Sequence, residues 1–178
     1  ALFKRFYPEV AIVDMRGNLQ TRIKKMEQGA CDALVLAYAG VSRMGYEHMI
    51  QEKLTFDRFL PAVGHGALAI EASTDLSPEK TTLVRKAINH DATEKLLLAE
   101  RAYLKKLEGG CSIPVFGMAQ HTNQGEMLIR GGIVSLDGDE LVLKEASGGK
   151  PENLGKDLAR QVLEAGGDKI LKSIKEKI

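Results

Sequence analysis

Leu107-Glu108-Gly109-Gly110-Cys111-Ser112-Ile113-Pro114 is the stretch around which the rest of the chain is arranged. A long helical pattern ends there, two glycines follow, and one cysteine is presented before a proline starts new structure. Glycines at 109 and 110 allow a left-handed turn or a close approach by a ligand. Pro114 fixes its own φ and biases Ile113 toward an extended conformation. The pattern predicts a thiol on a shaped, exposed loop rather than one packed among methyl groups. On spacing alone, the same residues also fit a small side chain in a tight turn, since lone cysteines are usually inert.

Downstream of this loop lie three short strand candidates, 115–121, 126–135 and 140–146. They are separated by the turn signals Asn123-Gln124-Gly125 and Asp137-Gly138-Asp139, the second a hairpin cue. Gly148-Gly149-Lys150-Pro151 breaks the pattern. Leu154, Leu158, Val162 and Leu163 then mark a helix that stops at Gly166-Gly167, and a last helix runs from Asp168 to Ile178. Upstream, Ser77 and Pro78 read as N-cap and first residue of a helix carrying Leu83, Val84, Ala87 and Ile88 and ending near Asn89. A longer helix from Asp91 to about Leu107 presents Leu96, Leu97, Ala99, Ala102, Tyr103 and Leu107 as its apolar face. Glu100 and Arg101 on that helix read as solvated or locally paired charges. Tight turns between consecutive strands, with helices before and after, imply a three-stranded antiparallel sheet covered by helices.

The first third has a different grammar. Val10-Ala11-Ile12-Val13 and Ala33-Leu34-Val35-Leu36-Ala37 are nearly continuous apolar runs, as expected for strands buried on both faces. Between them Asn18 is a candidate N-cap, Leu19, Ile23 and Met26 repeat at helical spacing, and Gly29 closes the helix. Another helix is expected near Val41, and a short one from Glu47 to Leu54. Strand, helix, strand predicts a right-handed parallel crossover. In that geometry Arg16 and Arg43 leave the carboxyl ends of parallel strands, where open α/β sheets bind ligands, and Arg22 leans to the same mouth from the helix. Three guanidiniums around one crevice suit carboxylates or phosphates, although ordinary surface arginines fit the spacing equally. Two strands are too few for a covered parallel sheet, so further strands are expected from outside the chain.

Pro61-Ala62-Val63-Gly64-His65-Gly66 reads as a linker and loop, with Ala67 to Ala72 as a return strand. Gly64 and Gly66 let backbone approach a ligand closely. His65 has no partner at metal-ligand spacing, and His48, His90 and His121 build no ligand set.

Composition narrows the classes. The 178 residues are 44% hydrophobic and 28% charged, without a long apolar run, which reads as a soluble globular protein of one domain or two small ones. A formal net charge of +1 offers no bulk attraction to nucleic acid or anionic membrane, so any anion site must be local. Two cysteines, Cys31 and Cys111, make no disulfide framework and fit a reducing, cytoplasmic setting. The chain starts Ala1-Leu2-Phe3 with no initiator Met and no signal-peptide core, opens almost directly into a strand, and is expected to be part of a longer protein.

Four strings occur in order: Arg16-Gly17-Asn18-Leu19-Gln20-Thr21-Arg22, Leu36-Ala37-Tyr38-Ala39-Gly40-Val41-Ser42-Arg43-Met44-Gly45, Pro61-Ala62-Val63-Gly64-His65-Gly66-Ala67 and Leu107-Glu108-Gly109-Gly110-Cys111. Together they resemble the C-terminal part of the porphobilinogen deaminase (hydroxymethylbilane synthase) family, and the resemblance covers essentially the whole chain. It implies a tetrapyrrole-pathway enzyme that joins four porphobilinogen units head to tail, releasing ammonia, to give hydroxymethylbilane. It also implies a dipyrromethane cofactor, held as a thioether at Cys111, that primes the growing polypyrrole. A thiolate on a Gly-Gly loop is chemically suited to capture the electrophilic azafulvene left by deamination. Arg16, Arg22 and Arg43 match the family's arginines for acetate and propionate groups. The Val63–Gly66 loop, with His65 and Gly66, matches a segment lying against cofactor or substrate. Most relatives carry Gln where His65 stands, and a histidine there can still donate a hydrogen bond.

The implied fold is α/β plus α+β. Residues 1–57 correspond to the later part of a periplasmic-binding-protein-like second domain. Residues 58–76 form a hinge and return segment belonging to the first domain, and 77–178 the small C-terminal domain. The family's catalytic aspartate belongs to the first domain; neither Asp14 nor Asp32 matches it. Residues 1–178 alone are therefore expected to be inactive, and the full-length protein a monomer needing its missing N-terminal domain. Two other classes compete: a non-catalytic α/β carboxylate-binding module using the arginine mouth, and a thiol enzyme or redox sensor built on Cys111, for which no adjacent base or resolving thiol is evident.

Overall fold

The computed structural model describes residues 1–110 and 113–177. Its organised half is an antiparallel meander of β1 (Val115–His121), β2 (Met127–Val134) and β3 (Leu141–Ser147), in the order β1-β2-β3. The register pairs Val115 with Ile133 and Leu128 with Ser147. Both turns fall where the glycines predict them. Gly125 and Gly138 take φ of 80° and 92°, a region where a Cβ is unfavourable.

The last three helices of the chain cover one face of this sheet. In chain order the helices are α1 (Leu2–Phe6), α2 (Leu19–Glu27), α3 (Tyr38–Arg43), α4 (Pro78–Ile88), α5 (Asp91–Lys106), α6 (Pro151–Val162) and α7 (Asp168–Lys175). A single 3₁₀ turn occupies Glu47–Met49, and a π-type turn at Leu163–Gly167 joins α6 to α7. The start of α4 is set by Ser77, whose hydroxyl accepts the Lys80 N–H, followed by Pro78. The core gathers Ala99, Tyr103 and Leu107 of α5, Ile129 and Ile133 of β2, Leu154, Leu158 and Val162 of α6, and Ile170 and Ile174 of α7. Burying each large aliphatic side chain contributes roughly 1.5–3 kcal/mol.

Gly155 lets α6 approach α5 at backbone distance. A Cβ there would lie 2.0 Å from the Ala99 carbonyl oxygen and 2.8 Å from the Tyr103 nitrogen. Tyr103 completes the interface by donating its hydroxyl to the Gly132 carbonyl across 3.0 Å. Burial pushes the Tyr103 phenol well above its ordinary pKa.

Residues 1–76 depart from expectation. The chain opens with α1 rather than a strand, and the helix expected over 47–54 shortens to the 3₁₀ turn. The parallel βαβ unit does not form among the described residues: 10–13, 33–37 and 67–72 stay outside any sheet. Val13 is 58% exposed, Val35 63% and Leu68 92%. The physical reason is that a strand's backbone groups are satisfied only by neighbouring strands, and these segments find none here. A periplasmic-binding-protein-like domain is correspondingly not seen.

The N-terminal helix instead packs on the sheet unit. Ala1 and Leu2 join Leu60, Phe116 and Val134 in a second apolar cluster, and Phe59 lies among Phe3, Phe6 and Tyr7. Among the described residues no helix is long and apolar enough to cross a membrane.

Candidate functional site

Helix α5 ends in paired 6→1 and 5→2 bonds, Gly109 N–H to the Leu104 carbonyl and Glu108 N–H to the Lys105 carbonyl, both 3.2 Å. That pattern is the Schellman motif, whose left-handed position usually falls to glycine. Here it falls to Glu108, with φ of 51°, and not to Gly109 or Gly110. Lys175 of α7 holds the Glu108 carboxylate at 2.8 Å and lowers its pKa below the ordinary glutamate value. A Cβ at Gly109 would lie 2.5 Å from Leu104 Cδ1, the end of a flexible side chain that can turn aside. Beyond it, the Gly110 carbonyl accepts the Ile113 N–H at 3.1 Å. Cys111, the predicted thioether residue, lies outside the described residues, as does Ser112.

The arginine motif is organised by the start of α2. Asn18 caps the helix by accepting the Thr21 N–H at 2.9 Å, as its position predicts. Arg22 Nε donates to the Gly17 carbonyl at 2.7 Å, and Lys25 Nζ to the Arg16 carbonyl at 3.0 Å. These bonds fold the Arg16-Gly17 turn back onto the helix, so Arg16 and Arg22 share one end of α2. Arg43 lies in the last turn of α3 and is exposed. Among the described residues no side-chain bond joins Arg43 to the α2 pair, and the crossover that would bring all three to one sheet edge is not formed.

The Pro61–Gly66 loop is built against the sheet unit. Its Pro61 carbonyl accepts the Gly117 N–H of β1 at 3.0 Å. Its Gly64 N–H donates to Glu100 Oε2 at 2.7 Å, while Glu100 Oε1 accepts the Ala119 N–H of β1 at 2.8 Å. Among the described residues strand β1 has only β2 as a ladder neighbour, so these bonds satisfy amides on its free edge, which otherwise invites strand addition. Val63 packs on the core, whereas His65 and Gly66 are exposed. Gly64 and Gly66 take φ of 74° and 86°, and neither has an atom within 4 Å of a built Cβ. The loop is thus pinned through Gly64 and open at His65 and Gly66.

Glu100 is the residue that sequence reasoning misplaced. It is 6% exposed, not a solvated charge, and among the described residues its carboxylate bonds only to backbone amides of other segments. The signal was present: Glu100 falls on the stripe Leu96, Glu100, Tyr103, Leu107, the buried face of α5. Among the described residues no group of three or more His, Cys, Asp or Glu is placed to hold a metal ion.

Comparison with known proteins identifies the family of this chain. Residues 1–81 match the family model described as "Porphobilinogen deaminase, dipyromethane cofactor binding domain". Residues 95–164 match "Porphobilinogen deaminase, C-terminal domain". A porphobilinogen deaminase of Cytophaga hutchinsonii is 52% identical over 178 residues, covering 99% of this chain and 57% of that protein. One from Desulfosudis oleivorans is 47% identical, with the same coverage of both chains. The chain belongs to the porphobilinogen deaminase family. It spans a little over half the length of the relatives it matches, 57% for these two. The arginine motif and the 61–66 loop both lie inside the segment matched to the cofactor-binding part of the porphobilinogen deaminases.

Proposed function

We propose that the protein containing this chain is a hydroxymethylbilane synthase, condensing four porphobilinogen units head to tail with release of ammonia. The observation that carries this reading is the match of both family models, in order, along the chain. The residues present suit a dipyrromethane bearing acetate and propionate groups. Arg16 and Arg22 gather at one helix start beside the Gly17 turn, and the 64–66 loop offers an open backbone with no side chain filling it. When bound, that group supplies the terminal pyrrole position on which the polymer grows.

In this reading Arg16, Arg22 and Arg43 bind and neutralise pyrrole carboxylates through paired, charge-assisted hydrogen bonds. More such charges are needed as the product lengthens, because every added unit brings two carboxylates. His65 and Gly66 line the cofactor, and Cys111 holds it as a thioether. Residues 1–57 belong to the second domain, 58–76 return to the first, and 77–178 form the C-terminal domain. The exposed segments pair with strands supplied by the rest of the protein, 10–13 and 33–37 in the periplasmic-binding-protein-like second domain and 67–72 in the first. Residues 1–178 alone turn over no porphobilinogen, since the catalytic aspartate lies in the first domain.

Intact mass and peptide mapping of the full-length protein test this reading. A two-pyrrole adduct confined to the Cys111 peptide is the expected result. Protein made in cells that synthesise porphobilinogen, yet carrying no adduct, overturns it and favours reversible carboxylate binding.

A further inference from the structure

A carboxylate buried at a junction of segments is costly unless it is fully bonded, so its partners show what it is there to hold. Glu100 sits on α5, the helix that runs to the Gly109-Gly110-Cys111 stretch. One oxygen takes the Ala119 N–H of β1, the strand that runs out of that stretch. The other takes the Gly64 N–H, one residue before His65-Gly66. Helix, strand and loop are thus bonded through one side chain that reaches none of the exposed positions itself. Pro61 repeats the tie from the loop to β1 through Gly117, but only Glu100 joins all three.

We propose that Glu100 is a positioning residue, whose carboxylate sets the His65-Gly66 loop relative to the two segments framing Cys111. This rests on the reading that His65 and Gly66 line a group carried at Cys111. Neutral glutamine in its place has one acceptor for two N–H donors, so at least one anchor is lost and the loop moves against the cysteine stretch. Small displacements of a reacting pair weaken its rate more than its binding.

The test compares full-length wild type, Glu100→Gln and Ile133→Val. The last trims a buried core side chain and leaves Glu100 and its two amide partners as they are. In wild type the Gly64 amide exchanges hydrogen far more slowly than that of Gly66. In Glu100→Gln, exchange at Gly64 or Ala119 rises about tenfold or more, the breaking of one charge-assisted bond, and kcat falls about tenfold with KM within twofold. Loss of the two-pyrrole adduct from Glu100→Gln alone supports the same conclusion. Ile133→Val keeps wild-type kcat, KM and Gly64 exchange.

Glu100→Gln with wild-type kcat and a full adduct overturns the proposal, as does equal kcat loss in Ile133→Val. Should Glu100→Gln not fold, wild-type exchange decides: Gly64 exchanging as fast as Gly66 refutes the anchor. A wild type without any adduct is a separate result, overturning the functional reading beneath the proposal.

Discussion

Gly155→Ala is a change whose sign reports directly on the contact between α5 and α6. In an isolated helix, alanine is favoured over glycine by about 1 kcal/mol, so propensity alone makes this variant more stable. The structure reverses the sign. The added methyl lies 2.0 Å from the Ala99 carbonyl oxygen, 2.8 Å from the Tyr103 nitrogen and 3.0 Å from the Ala102 Cβ. None of these is a flexible side-chain end, so relief requires the helices to separate by on the order of 1 Å, a gap that forfeits a quarter to a half of each facing dispersion contact. Overpacking of this kind costs about 3 kcal/mol, leaving the variant about 2 kcal/mol less stable after the propensity gain. Urea unfolding followed by far-UV circular dichroism measures it, with Lys156→Ala on the exposed side of α6 as control. A Gly155→Ala protein as stable as wild type, or more so, refutes the close approach.

Tyr103→Phe removes the buried bond to the Gly132 carbonyl and is expected to lower stability by about 1–2 kcal/mol; a thermal unfolding midpoint equal to wild type argues against that bond. Glu108→Gly is expected to be more stable than Glu108→Ala, since a left-handed conformation costs a non-glycine residue about 1 kcal/mol, and equal urea midpoints would dispose of the strained cap. The Glu108 and Glu94 carboxyls are held below the ordinary glutamate value, chiefly by Lys175 and Arg85 respectively. Their contribution to stability is therefore complete above the ordinary glutamate pKa and is lost as pH falls through the lowered folded values. In an NMR titration Lys175→Ala returns Glu108 to the ordinary range and leaves Glu94 unmoved; a Glu108 titration unchanged by that substitution breaks the assignment.

The C-terminal unit was legible almost residue by residue because its signals are local. Ser77-Pro78 starts α4, Gly125 and Gly138 place the two turns, and Gly166 ends the run of α6. Asn18 announced itself as the α2 cap in the same way. The apolar runs at 10–13, 33–37 and 67–72 carried a strand preference, yet pairing depends on partners distant in sequence. No such partner is present among the described residues. The left-handed residue at the end of α5 was expected at a glycine and fell one position earlier. The helix's register sets which residue follows its last turn, and the residue after the Leu107 cap is Glu108.

The sequence by itself determined the family, through ordered motifs that need no coordinates, and it determined α2 to α7, the hairpins and the residue types suited to carboxylates and a thioether. Tertiary structure alone decided what Glu100 does. A carboxylate on a helix reads as solvated until the strand and loop that bury it are in place, and only then are its two backbone partners defined. The same physics kept Arg16 and Arg22 together while leaving Arg43 unconnected to them. The first pair is joined through bonds within one helix and its cap, whereas the third depends on a sheet that these residues do not complete.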